Sequence, residues 1–330
     1  MQPVIVGLAF LIAALCAATM GFAIQRGATC TVAAMYEVIR ARRASRLLAL
    51  VEASAWVGGG LLIAQQLHWL ADAPSGFALT GWTVLGAALL GAGAFVNGAC
   101  VFGAIARFGS GEWAYAATSL GFYIGCLSVA TLFSPPLPQG LAKGSIVLAA
   151  PGWVAWLVAA FLIWRVARPL LNRRSTTLHE LITLRLWAPH AATTVIGVTF
   201  FVMLLLVGAW AYIDVLSELA RGMANGVLAR ILLLVCLLLG AMLGGWTAGL
   251  FRHTRIDAAT LLRCLAGGIL MGWGSLLIPG GNDGLILVGM PLLWPYAWVA
   301  FITMCVAIGS ALWLQGRLAE RAGAGHSRTE

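Results

Sequence analysis

The run Gly91-Ala-Gly-Ala-Phe-Val-Asn97-Gly98-Ala-Cys100-Val-Phe-Gly103-Ala-Ile-Ala-Arg107 lies inside a long apolar region, Gly81–Phe108, and Asn97-Gly98 interrupts it in mid-course. A bilayer span needs about 20 apolar residues, so the region as a whole is long enough to cross. Backbone released from helical bonding at membrane depth persists only where it is buried in protein or lines a polar cavity. The stretch therefore reads as a broken membrane helix, and it sets the class of the whole chain. A second region of the same kind is Leu261–Leu293, broken at Pro279-Gly280-Gly281-Asn282-Asp283-Gly284. At an offset of 181 residues, Gly91, Gly93 and Gly103 fall on Gly272, Gly274 and Gly284.

Composition agrees. Of the 330 residues, 61% are hydrophobic and 9% are charged, against about 45–50% apolar and about 25% charged in soluble domains. So few charges cannot cover a water-facing globule of this length. A soluble enzyme, a disordered chain and a peripheral membrane protein are excluded. The apolar stretches are continuous rather than alternating, which selects helices over a β-barrel.

Seven further stretches have full spanning length: Val4–Ile24, Leu47–Leu67, Trp113–Phe133, Ser145–Trp164, Ala191–Tyr212, Leu228–Leu250 and Trp294–Leu314. The first has no basic region before it and no clear cleavage site, so it reads as a transmembrane helix and not as a signal peptide. Two segments, Thr29–Arg40 and Ile213–Ala224, are helical in character but too short or too polar to span. If each broken region crosses once, there are nine crossings. Arginines then settle the orientation. Arg26, Arg40, Arg42, Arg43 and Arg46 share one loop, Arg165, Arg168, Arg173, Arg174 and Arg185 a second, and Arg252, Arg255 and Arg263 a third, with Arg317, Arg321 and Arg328 in the tail. The intervening loops hold one Lys and no Arg. Nine crossings put every Arg-rich loop in the cytoplasm, with the N-terminus outside and the C-terminus inside. The net charge of +9 thus records orientation, and nucleic-acid binding is not implied.

The two halves share one order of elements: long span, short segment, long span, broken span, long span. The fold class expected is all-α integral membrane, with about nine transmembrane helices plus four short or re-entrant helices in two inverted repeats. Residues 1–144 form the first repeat, 145–190 a linker helix and cytoplasmic loop, 191–316 the second repeat and 317–330 a cytoplasmic tail. Paired broken helices in inverted repeats mark the substrate path in many secondary transporters.

The residues at the breaks supply the candidate chemistry. Cys100 follows the first break by two residues, with Arg107 seven residues on. Cys30, in Gln25-Arg26-Gly27-Ala28-Thr29-Cys30, opens the first short segment. Free N–H groups at a helix start suit an anion or a thiolate. Asn97 and Asn282 carry amides at the two breaks. Asp283 is the only acid between Asp257 and Glu320; a carboxylate in a broken intramembrane segment is a functional candidate, and helix capping is the alternative. Asp214, Glu218, Arg221 and Asn225 in the second short segment read as a polar vestibule or a solvated loop. The other five of the seven cysteines lie in apolar runs and read as packing. Neither a metal-ligand set, nor a catalytic set, nor a phosphate-binding loop is present in the sequence, so no cofactor and no enzymatic activity is expected.

Gly21–Cys30 with its Arg-Gly-x-x-Cys, Asn97–Glu112 and Gly267–Gly284 together resemble the YeeE/YedE family of sulfur-compound membrane transporters. The resemblance covers nearly the whole chain. It implies nine spanning and four short helices, thiosulfate uptake across the bacterial inner membrane, and a narrow central path on which thiols hand the sulfur-bearing anion along. Cys30 and Cys100 match the two family cysteines of the first half. The second half departs: where the family often reads Gly-Gly-Cys, this chain reads Gly280-Gly281-Asn282. The expected partners are a small sulfur-containing anion and the lipid bilayer, and a cytosolic sulfur-carrier protein is a further one. A non-transport scaffold docking that carrier, or a transporter of a different ion, is the alternative function.

Overall fold

A computed structural model of the chain describes residues 2–70, 73–135, 138–141, 144–171, 186–208, 216–217, 219–220, 227–252, 254 and 256–326. Twelve α-helices lie among the described residues. In chain order they are α1 (Gln2–Arg26), α2 (Thr31–Tyr36), α3 (Ser45–Gln66), α4 (Gly81–Asn97), α5 (Val101–Gly109), α6 (Ala116–Phe133), α7 (Gly152–Leu171), α8 (Pro189–Val207), α9 (Val227–Thr247), α10 (Ala258–Leu277), α11 (Asn282–Gly284) and α12 (Pro295–His326). Eight helical segments are long and apolar enough to cross a bilayer. The protein is an all-α, multi-pass integral membrane protein.

Both breaks fall where the sequence puts them. The Thr83 hydroxyl accepts the Thr80 N–H at 3.1 Å at the start of α4. The helix stops because Gly98 takes φ +74°, a left-handed value that glycine adopts without a Cβ penalty. Three residues later, at Val101, α5 resumes. In the second region Asp257 caps α10, accepting the Thr260 N–H at 3.2 Å. After Ile278-Pro279-Gly280-Gly281 the chain re-enters as α11 and one π turn, Leu285–Gly289. The first short segment is also divided, into α2 and a π turn over Glu37–Ala41.

The span expected over Ser145–Trp164 starts later. Residues 146–149 form a turn, and α7 begins only at Gly152, after Pro151. Proline is suited to the entry of a helix, where its missing N–H is not needed. Ser145 is instead buried, its hydroxyl donating to the Leu292 carbonyl at 2.7 Å. The apolar part of α7, Gly152–Arg165, is shorter than the eight spanning segments. Asp214, Glu218, Arg221 and Asn225 lie outside the described residues.

The helix contacts of one half mirror those of the other. Helix α1 packs on α9 and α8 on α3; α4 packs on α12 and α10 on α6; α4 meets α10, and α1 meets α8. Exchanging α1 with α8, α3 with α9, α4 with α10 and α6 with α12 maps this set onto itself. The glycines repeat the exchange atom by atom. A Cβ on Gly93 would lie 2.7 Å from the Gly267 carbonyl oxygen and 2.8 Å from the Met271 nitrogen. One on Gly274 would lie 2.5 Å from the Gly86 oxygen and 2.6 Å from the Leu90 nitrogen. Gly86 and Leu90 stand 181 residues before Gly267 and Met271. Small residues let membrane helices approach to backbone contact, where dispersion and packing hold them together. The α4–α10 seam, carrying both breaks, is built this way.

Candidate functional site

Three interruptions meet in the interior. Cys30 is the N-cap of α2 and Cys100 the N-cap of α5. Asn282 opens α11. Thr31 joins them: its backbone N–H donates to the Cys100 sulfur at 3.1 Å, and its hydroxyl donates to Asn282 Oδ1 at 3.5 Å. The Cys30 and Cys100 side chains are neighbours in this cluster. All four residues are buried, Cys30 the least so at 9% exposure and Thr31 completely. Glycine makes room for the pair. A Cβ at Gly103 would sit 2.5 Å from the Cys30 sulfur and 3.0 Å from its Cβ.

Asn97 braces the first break. Its amide donates to the Ala99 carbonyl at 2.7 Å and its Oδ1 accepts the Thr118 hydroxyl at 2.9 Å. The Tyr115 hydroxyl adds a contact to the Asn97 carbonyl at 3.4 Å. Both ends of this amide are thus engaged by protein groups. Asp283 is 1% exposed, and its Oδ1 accepts the Gly284 N–H at 3.0 Å. It sits inside α11 and does not head a single helix over Gly284–Leu293, because the chain there widens into the π turn.

A vestibule of about 980 Å³ leads to this cluster from the end of the bundle where arginines gather. Cys30, Gly98 and Gly103 line it, together with Arg43, Arg46, Arg107 and Arg263. Neither Cys100 nor Asn282 is among its lining residues, so Cys30 is the thiol that faces the open space. Arg46 pairs with Glu37 at 3.4 Å. Arg107 pairs with Glu112 at 3.3 Å and lies over the Tyr115 ring at 5.1 Å. Among the described residues, Arg43 and Arg263 make no ion pair with an acid. The Arg263 guanidinium approaches the Gly98 break, 3.7 Å from where a Cβ would stand. A concave wall of cations raises the local concentration of small anions.

Of the sequence candidates, the structure brings together Cys30, Cys100 and Asn282, sets Asp283 beside Asn282, puts Asn97 under the first break and Arg107 on the vestibule wall. Sequence reasoning missed Thr31 and Arg263. Thr31 is one position after a singled-out cysteine, but its bridging role depends on contacts 69 and 251 residues away. Arg263 reads as an orientation charge; its place within the apolar run that α10 occupies is the signal that could have separated it from the loop arginines.

A second polar cluster ties the periphery. Glu52 on α3 accepts from Arg165 on α7 at 3.0 Å and also contacts His190 on α8. It fastens the peripheral helix α7 to both halves. It stands apart from the breaks, and nothing in it points to a ligand.

A family model described as sulphur transport matches residues 26–312, nearly the whole chain. No curated protein matches it at a significant level.

Proposed function

The chain belongs to the sulphur-transport (YeeE/YedE) family, and from that premise we propose that it carries a small sulfur-containing anion such as thiosulfate across the bacterial inner membrane. The observation that carries the reading is the pair of neighbouring buried thiols, Cys30 and Cys100, each at the N-cap of a short helix behind an arginine-lined vestibule. Thiols are soft, polarizable partners for a terminal sulfur. The path runs between inverted repeats formed by residues 1–144 and 191–316, past Asn282, Cys100 and Cys30. It opens to the cytoplasm through the vestibule, where Arg107, Arg43 and Arg263 offset the anion's charge. A membrane scaffold has no use for polar backbone breaks at membrane depth, and that favours transport over docking alone.

Growth on thiosulfate as sole sulfur source, in a strain lacking other uptake routes, tests the reading. Expression of this chain restores growth; failure to do so, with the protein present in the membrane, overturns it.

The orientation has its own test. A reporter fused after Glu330 is cytoplasmic and one inserted near Ser75 is external. An external C-terminus removes the nine-crossing count and the inverted relation with it.

Asp283→Asn retains uptake. An ionised carboxylate beside a passing anion in a low-dielectric site costs free energy, so Asp283 serves the fold of α11 and does not act as a ligand. Loss of uptake in this variant, at normal protein levels, makes the carboxylate the working group and points to a cation or a proton-coupled anion.

A further inference from the structure

Asn282 is 1% exposed, and its Nδ2 has no hydrogen-bond partner. A buried amide donor left unpaired carries a desolvation cost that protein interiors seldom tolerate without a reason. Its Oδ1 is held by the hydroxyl of Thr31, the same residue whose backbone N–H holds the Cys100 sulfur. One residue therefore presents two different chemistries side by side: soft thiol sulfur at Cys100 and Cys30, and a hard amide donor at Asn282. Hydrosulfide has sulfur but no oxygen for the amide. Sulfate has oxygens but no terminal sulfur for the thiols. An anion with a terminal sulfur and sulfonyl oxygens satisfies both.

Building on the sulfur-anion reading above, we propose that Asn282 is the specificity-determining ligand of the path, its Nδ2 donating to a sulfonyl oxygen while the terminal sulfur lies at the thiols. The class selected is the sulfur-terminated oxyanion. The amide at the second break thus discriminates by oxygen where a thiol at that position would discriminate by sulfur.

The test is uptake of radiolabelled thiosulfate into proteoliposomes holding the full chain, with unlabelled hydrosulfide and unlabelled sulfate as competitors. For the wild type, each competitor is weaker than thiosulfate by about tenfold or more, the scale of one charge-assisted hydrogen bond. Asn282→Leu, similar in size and without a donor, lowers thiosulfate uptake by about tenfold or more on the same scale. Asn282→Cys keeps uptake but brings hydrosulfide close to thiosulfate as a competitor. This second variant decides the matter if the leucine variant fails to elute as a folded, monodisperse protein. Unchanged thiosulfate uptake in a folded Asn282→Leu, or an unchanged hydrosulfide gap in Asn282→Cys, overturns the proposal. Cys100→Ala in the same assay separates the two ideas. If it keeps full uptake while Asn282→Leu loses it, the thiol reading falls and the amide ligand stands. If the wild type takes up no thiosulfate, both fall.

Discussion

Replacing Cys100 with alanine abolishes thiosulfate uptake while the protein still reaches the membrane and elutes as one species. Alanine preserves the small volume at the N-cap of α5, so the close packing of the break is kept. What goes is the sulfur, which accepts the Thr31 N–H at 3.1 Å and neighbours the Cys30 thiol. The Thr31 N–H is then buried without a partner, at a cost of about 1–3 kcal/mol, which a folded membrane protein of this size tolerates. The transport loss is larger because the contact removed is the one the moving sulfur replaces. Cys126→Ala is the matched control. Cys126 is also buried, but its thiol donates to the Gly272 carbonyl at 3.8 Å, away from the breaks. Its uptake stays at the wild-type rate. If both variants transport normally, the thiols are packing and not path.

Gly103→Ala is the second substitution expected to stop transport. The new methyl would lie 2.5 Å from the Cys30 sulfur, a distance that real Cβ atoms do not sustain, and 3.0 Å from both the Cys30 Cβ and the Ala99 Cβ, where neighbours have to give way. Cys30 has one rotatable bond and caps a helix, so it cannot fold away as a long side chain would. The thiol is displaced from Cys100 and the entrance from the vestibule narrows. Overpacking of this kind costs about 1–3 kcal/mol, which the fold survives and the thiol pair does not. Gly284, its counterpart at the offset of 181, has nothing within 4 Å of the same position, so Gly284→Ala keeps uptake. Equal behaviour of the two alanine variants removes Cys30 from the path.

Much of this was readable in the chain because membranes punish irregular backbone. Asn97-Gly98 and Pro279-Gly280-Gly281 interrupt runs that hydropathy alone would draw as helices, and α4 and α10 stop there. Cys30 and Cys100 follow such stops and become N-caps. What could not be read is long-range. Whether Cys30 faces Cys100, and whether Asn282 faces either, depends on how three separate helices pack. Periodicity within one helix says nothing about that. Asn97 shows the same limit: its amide is exposed to a path or spent on the break depending on where Thr118 stands. The late start of α7 is signalled locally by Pro151, and the hydropathy of Ser145–Ala150 obscures it.

Helices α4 and α10 meet backbone to backbone along Gly86, Gly93, Gly267 and Gly274. Only the Cβ-proximal parts of Leu90, Asn97, Leu270 and Leu277 and the Ile278 side chain pack beside the glycines, which leaves little room to absorb sliding. A rocking motion of one half against the other would have to pry this seam apart or drive carbonyl oxygens into the opposing backbone. The stiff members are therefore the long helices together with α5, where a Cβ on Gly109 would lie 2.6 Å from the Ala241 carbonyl oxygen, whereas α11 has nothing within 4 Å of a Cβ at Gly284. Under the proposed transport function, admission and release of the anion call for displacing a turn of chain by a few ångströms. Local shifts of that size belong to the nanosecond-to-microsecond range of loop motion rather than to the slower swing of domains. In engineering terms the protein is a rigid frame with a sprung latch.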